Sequence, residues 1–380
     1  MINKKRLIKT TAALIQIDSQ NPPGNEIKIA EFVKSETESL GLKVETFTFK
    51  PDRPNIVATL LGSWPTAKAK TEAILITPHY DTVPFGSGWK YPPLSGTVDK
   101  GRIYGRGASD DKGNLAVCME VLHSLVEDGV KLKKNVIFAA TADEETGSHW
   151  GIIPLLEKNL LKPRAALILD SDEFDAIICQ KGLIHCRVQI MGKKAHAAYN
   201  WRGVNAIEIA ARVIKCLTEH QFKFHRHPIL HPPTKNIGKI TGGDKVNMVA
   251  DFCEFALDMR FLPGMEPEKI LQEVKNIIRK EATRFKIEID DLQYPYEIAA
   301  NDSLVATYVQ TARRMKIRTT IKGSEGATVI TFFKKKGIPA FATGYGSRAT
   351  AHTTDEYAEV DKLYKGARLL EQFLKEYDQR

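Results

Sequence analysis

Four apolar runs of strand length set the frame for this chain: NIVATLLG (55–62), EAILITPH (72–79), KNVIFAAT (134–141) and AALILDS (165–171). A strand buried on both faces reads as a continuous hydrophobic run, the appearance of strands in a parallel sheet covered by helices. Between the runs lie helical patterns. Residues 27–40 carry apolar positions at helical spacing and stop at Gly41, a C-terminal cap signal. Residues 115–129 (LAVCMEVLHSLVEDG) repeat the pattern and again end on glycine. This alternation predicts an α/β domain built on a largely parallel sheet.

Near residue 182 the period changes. GLIHCRVQIMG alternates with period two, so it reads as a half-exposed antiparallel strand. A helix at 204–218, strands at 236–241 and 247–260, a helix at 266–284 and the strand FKIEIDDL follow. Strand–helix–strand–strand–helix–strand is a compact α+β unit of ferredoxin-like type. Helix, strand and helix patterns then return at 302–316, 338–343 and 360–377. At 380 residues the chain exceeds what one core usually holds. The expected organisation is a larger α/β domain from 1–181 and 295–380, interrupted by an inserted domain at 182–294.

Charge and composition narrow the function classes. Lys and Arg number 55 against 46 Asp and Glu, a formal excess of +9, but the cations are scattered and form no basic arm. No nucleic-acid partner is expected; a mild attraction for carboxylate-bearing substrates is. No run approaches the roughly 18 apolar residues of a membrane span, so no membrane partner is expected either. The amino-terminal stretch has no signal-peptide pattern. The five cysteines contain no C-x-x-C pair. Reduced thiols and a cytoplasmic location are the expectation.

Acidic residues and histidines cluster just beyond the apolar runs. His79 and Asp81 follow AILITP, Glu144 and Glu145 follow VIFAATAD, and Asp170 ends AALIL. Asp110 lies in GRGASDDKG (105–113) and His352 in ATAHTTDEY. In a parallel sheet the carboxyl ends of the strands open on one side, where binding sites form. Two imidazoles and several carboxylates without a thiol suit two divalent ions, zinc first and cobalt or manganese as alternatives. Two such ions can share and acidify a water and polarise a carbonyl, leaving one glutamate as general base. A phosphate-binding loop at 105–113 is disfavoured, because it lacks G-K-[ST] and carries two aspartates.

The stretches HYDTVP (79–84), GRGASDDKG, DEETGS (143–148), GKKAHAA (192–198), DMRFLPG (258–264) and AHTTDEY (351–357) resemble, in order, those of the M20 family of metallohydrolases. That family includes acetylornithine deacetylase, succinyl-diaminopimelate desuccinylase, aminoacylase-1, glutamate carboxypeptidase and related dipeptidases. The resemblance implies a zinc-binding α/β domain with an α+β lid or dimerisation domain, and a homodimer. It implies that His79 serves one metal, that Glu145 and His352 serve the other, and that Asp110 bridges them. It further implies Glu144 as general base to a hydroxide bridging the metals and Asp81 as partner of His79. His196 would stabilise the oxyanion, Arg260 would hold a substrate carboxylate, and Asn247 would be a neighbouring polar group.

The last ligand departs from the family's GEPT. Here the chain reads LDSDEFD, and counting back from QKG puts Asp170 in the slot with Asp172 as competitor. An aspartate there resembles the aminopeptidase and dipeptidase branches. The leading expectation is hydrolysis of a small N-acyl amino acid, with dipeptidase or aminopeptidase activity as the alternative. A metal-free binding protein on the same fold is the reading from another class. For Arg260 a structural pairing with Asp258 competes with the substrate role. The histidines at 220, 225, 227 and 231 read as a loop and not as a second metal site.

Overall fold

The computed structural model describes every residue of the chain except Asp172 and Arg348. The sequence alternative Asp172 therefore lies outside the described residues. The chain divides into two compact units. The first comprises Met1–Ile178, Ile298–Lys322 and Phe332–Arg380, and the second Cys179–Glu297 and Gly323–Thr331.

The first unit is built on strands β1 (Lys43–Thr48), β2 (Pro54–Leu60), β3 (Ile74–Thr77), β4 (Val136–Ala140), β5 (Ala165–Leu169) and β6 (Ala176–Gln180). The second contributes β7 (Gly182–Met191), β8 (Thr234–Gly242), β9 (Phe252–Phe261) and β10 (Phe285–Gln293), and the chain returns to the first through β11 (Ala340–Thr343). The sheet of the first unit runs β1-β2-β4-β3-β5-β11-β6. Its four central strands, β4, β3, β5 and β11, are mutually parallel, while β1, β2 and β6 join antiparallel. Three of the four apolar runs form strands of this parallel centre, β3, β4 and β5, whereas the first, β2, pairs antiparallel with β4. Strand β1 (KVETFT) has no buried residue, so it carried no such signal, and its short turn into β2 permits only antiparallel pairing.

Helices α1 (Lys4–Gln16), α2 (Ile27–Ser39), α3 (Lys112–Glu127), α4 (Ala206–Glu219), α5 (Pro267–Glu281), α6 (Ser303–Arg314) and α7 (Val360–Tyr377) complete the frame. Helix α2 stops where expected: Gly41 takes φ +71° and its N–H donates to the Glu38 carbonyl. Helix α3 packs against α1 and α7. It is buried over most of its length, including Leu115, Val117, Met119 and Leu122. Among the described residues no helix is long and apolar enough to cross a membrane.

In the second unit the strand order β8-β9-β7-β10, wholly antiparallel, is that of a ferredoxin-like β-α-β-β-α-β fold. Along β7, Ile184, Cys186, Val188 and Ile190 point into a core shared with Val213, Leu217, Phe255, Leu257, Val274 and Ile278. Asn205 caps α4, accepting from the Ile207 N–H at 3.0 Å. Residues 247–251, expected in a strand, instead form a loop before β9. Gly243 turns the chain at φ +71°, and the loop bonds elsewhere: Ala197 N–H donates to the Asn247 carbonyl and Val249 N–H to that of Ala195.

Candidate metal centre

The four parallel strands end on one side of their sheet, and each delivers a candidate side chain there. β3 leads to His79, β4 to Glu144 and Glu145, β5 to Asp170, and β11 to the loop bearing His352. Asp110 comes from the turn preceding α3, with a cis peptide to Asp111. Two groups of donor atoms result, each within 4.8 Å of one another: His79, Glu144 and Asp170, and Asp110, Glu145 and His352. Asp110 joins them. Its Oδ1 lies 3.0 Å from His79 Nε2 and its Oδ2 lies 3.1 Å from His352 Nε2. His352 Nε2 is also 3.2 Å from Glu145 Oε1. Asp110, Asp111 and Asp170 line a cavity of about 310 Å³.

The turn after β4 is built to separate Glu144 from Glu145. Asp143 adopts the left-handed conformation at φ +66°, and a single 3-10 turn, Glu144–Thr146, follows. The Asp143 carboxylate holds this geometry, accepting from Arg53, from Thr146 Oγ1 at 2.6 Å and from Trp150 N–H at 2.9 Å. Asp81, fully buried, accepts from the N–H groups of Glu144 at 3.0 Å and Glu145 at 3.1 Å. Its Oδ1 stands 3.3 Å and its carbonyl 3.1 Å from His79 Nδ1. Asp81 thus ties the histidine to the glutamate turn and directs His79 Nε2 to Asp110.

The charges in this cluster are mutually dependent. Burial alone lowers the His79 pKa, but Asp110 and Asp81 outweigh it and hold the imidazole well above its usual value. His352 is raised to about 10 by its contacts with Asp110 and Glu145. Burial pushes Asp110 up, yet His352 and His79 bring it below the usual carboxylate range. Burial, and next the Asp170 carboxylate, raise Glu144 well above it. Protonated imidazoles here do what a divalent cation does better: they neutralise converging carboxylates. The imidazole and carboxylate oxygen donors fit zinc, cobalt or manganese.

Four supporting residues are given no role by the sequence alone. Asp111, buried behind Asp110, accepts from His79 N–H at 3.1 Å and Asn114 Nδ2 at 2.6 Å. Glu356 accepts from the N–H groups of Ser109 at 2.9 Å and Asp110 at 3.1 Å, and is paired with buried Arg106 at 2.7 Å. Asn21 donates to Asp81 at 2.9 Å, and Arg53 donates to Asn21 at 2.8 Å. Asp111 and Glu356 fall within motifs already singled out; Asn21 and Arg53 fall in none.

The remaining candidates belong to the second unit. His196 is exposed and its Nδ1 accepts from Ala198 N–H at 3.1 Å. A bridge to Met248 sets it beside the loop carrying exposed Asn247. Arg260 grips Asp258 through Nε and Nη2, both at 2.9 Å, and His185 reaches the same carboxylate at 2.7 Å. His220, His227 and His231 each meet a different carboxylate, from Glu273, Glu297 and Glu325. Among the described residues they form no metal-binding group.

The model of peptidase family M20/M25/M40 matches residues 75–376. Among solved structures, the chain is similar to aminopeptidase PepT from Bacillus cereus ATCC 10987, at 25% identity and a TM-score of 0.81, covering 100% of both chains. A tripeptidase from Staphylococcus aureus subsp. aureus Mu50 matches at 26% identity and a TM-score of 0.83, again over 100% of both. An M20 family metallo-carboxypeptidase from Sulfolobus solfataricus shares the fold at 22% identity and a TM-score of 0.81, covering 98% of this chain and 99% of that one.

Proposed function

The chain belongs to peptidase family M20/M25/M40, and on that premise we propose that it is a two-metal aminopeptidase of short peptides. The observation that carries this reading is the joining of two donor groups by Asp110, one carboxylate oxygen facing each histidine. His79, Asp110 and Asp170 would hold one ion and Asp110, Glu145 and His352 the other, with zinc first and cobalt or manganese as alternatives. Bound there, such ions supply Lewis acidity to the scissile carbonyl and acidify a water.

The chain's own groups do the rest. Glu144 takes the proton of the attacking water at a carboxylate oxygen and passes it to the departing amine. Burial and Asp170 raise its pKa, which makes the ionised carboxylate a stronger acceptor for that proton. Asp81 fixes the His79 tautomer, and its two bonds to the turn hold Glu144 and Glu145 at separate tasks. His196 donates to the developing oxyanion. Arg260, its Nε and Nη2 committed to Asp258, offers Nη1 to a substrate carboxylate, and Asn247, on the loop beside His196, offers a polar group. The second unit serves as lid and dimerisation domain of a homodimer. A cytoplasmic location agrees with five free thiols, four of them buried.

Two observations favour a free peptide over the N-acyl amino acid that the motifs first brought forward. An aspartate, Asp170, stands where the deacetylases have glutamate. The full-length similarities at 25–26% identity are to an aminopeptidase and a tripeptidase. A panel of a free tripeptide, its N-acetylated form, dipeptides, and N-acetyl and N-succinyl amino acids, each run with Zn²⁺, Co²⁺ and Mn²⁺, tests the proposal. Release of the amino-terminal residue from the free tripeptide is expected. Hydrolysis of the N-acyl amino acids with the free peptides left intact would make the protein a deacylase.

A further inference from the structure

The first unit contains a second and larger cavity, of about 570 Å³, whose walls are strongly cationic. Lys316, Arg318, Lys322, Lys362, Lys365 and Arg368 line it, against two carboxylates, Glu173 and Asp175. Those carboxylates are already engaged. Asp175 is paired with Lys322 and accepts from Thr320 N–H at 3.1 Å, and Glu173 lies 2.9 Å from Lys362. Among the described residues, no carboxylate oxygen comes within ion-pair distance of Lys316, Arg318, Lys365 or Arg368.

Four uncompensated cations around one concavity repel each other and contribute nothing to the fold by pairing. These four differ from paired cations such as Arg187, which meets Glu288 and Asp290, and Lys375, which meets Glu371. Their convergence around a hollow selects a ligand of several negative charges. A monocarboxylate neutralises one of them; a phosphate or diphosphate meets guanidinium forks and ammonium groups together. The volume lies within the roughly 300–1,000 Å³ of small-molecule sites, larger than a bare phosphate requires. Met315, Ile317 and Phe174 supply an apolar wall for an organic body. A concavity of this size, open to solvent on one side, matches one small molecule.

We infer that this cavity is a binding site for a small organic phosphate or diphosphate, separate from the candidate metal centre. Its wall is shared with that centre, because Asp175 and Lys322 line both cavities. A ligand that draws Lys322 away from Asp175 changes the charge facing the first cavity, so the site is placed to act on turnover.

Calorimetric titration of the metal-loaded full chain with ADP, and separately with inorganic pyrophosphate, tests the inference. Both titrations are repeated on chelator-treated protein, since phosphates also bind metal ions. Saturable binding of one equivalent per chain is expected, retained after chelation and weakening as salt rises. Tighter binding of ADP identifies an organic phosphate, and equal binding a free diphosphate; either supports the site. The double variant Arg318→Glu with Lys365→Glu lies on the surface, and its melting temperature and peptide hydrolysis serve as folding controls. At least a tenfold loss of affinity is expected there, with Arg318→Lys retaining most binding. Absence of binding to either probe would overturn the inference. So would binding that survives the double variant, or that disappears with the metal.

Discussion

Asp110 divides its carboxylate between two histidines, Oδ1 lying 3.0 Å from His79 Nε2 and Oδ2 lying 3.1 Å from His352 Nε2. With His352 raised to about 10 and His79 raised as well, the metal-free chain carries protons on these imidazoles at neutral pH. Metal ligation requires neutral imidazoles, so binding must expel them. Calorimetry of Zn²⁺ binding at pH 7 in buffers of different ionisation enthalpy should show net proton release. A binding heat independent of buffer would contradict this.

Glu144 shares a donor group with His79 and Asp170, so it stands close enough to ligate as well as to move protons. The role as base predicts that Glu144→Gln loses about 10²–10⁴-fold in kcat while keeping its full metal content. Loss of one metal equivalent in that variant would make Glu144 a ligand instead.

Glu26 is buried beside the Arg53–Asp143 pair, 3.6 Å from Arg53. Burial, then Asp81, raise its pKa to about 9, with Arg53 opposing. Below about 4.5 folded and unfolded chains both hold this proton. Above that value the unfolded chain releases it and the folded chain does not, so this group's contribution to stability falls as pH rises to about 9. Glu26→Gln should therefore gain in melting temperature over the wild type at pH 8.5 relative to pH 5.5. An unchanged difference between the two pH values would show that Glu26 is ionised in the fold.

Glu356 supports Asp110 from behind, accepting from its N–H and from that of Ser109 while paired with Arg106. Removing one member of a buried ion pair costs about 3–5 kcal/mol, because the other charge is stranded. Glu356→Ala should lose stability of that order in urea unfolding, along with affinity for metal. A loss below about 1 kcal/mol would mean that Arg106 finds water or another acceptor.

The strand-end residues were legible because a continuous apolar run marks a central parallel strand, and its carboxyl end marks one side of the sheet. His79, Glu144, Glu145 and Asp170 follow such runs directly, and β3, β4 and β5 deliver them together. Asn21 and Arg53 were not legible. Each acts through partners remote in sequence, such as Asn21 on Asp81 and Arg53 on Asp143, and a single polar residue has no periodicity to announce it. The start of β9 was misjudged for a related reason. Residues 247–251 are apolar enough for a strand, but their backbone groups bond to the loop at 195–197, a pairing local pattern does not reveal.

The most direct test is a metal titration of chelator-stripped protein, with bound equivalents and tripeptide hydrolysis read on the same samples. Two equivalents per chain are expected, with hydrolysis returning as the sites fill. Asp110→Asn should weaken both sites and cut turnover by more than the roughly 10–100-fold that outer partners of a metal site cost. Full hydrolysis by the stripped chain, or an Asp110→Asn variant that binds two ions and turns over as the wild type does, would contradict a centre bridged by Asp110.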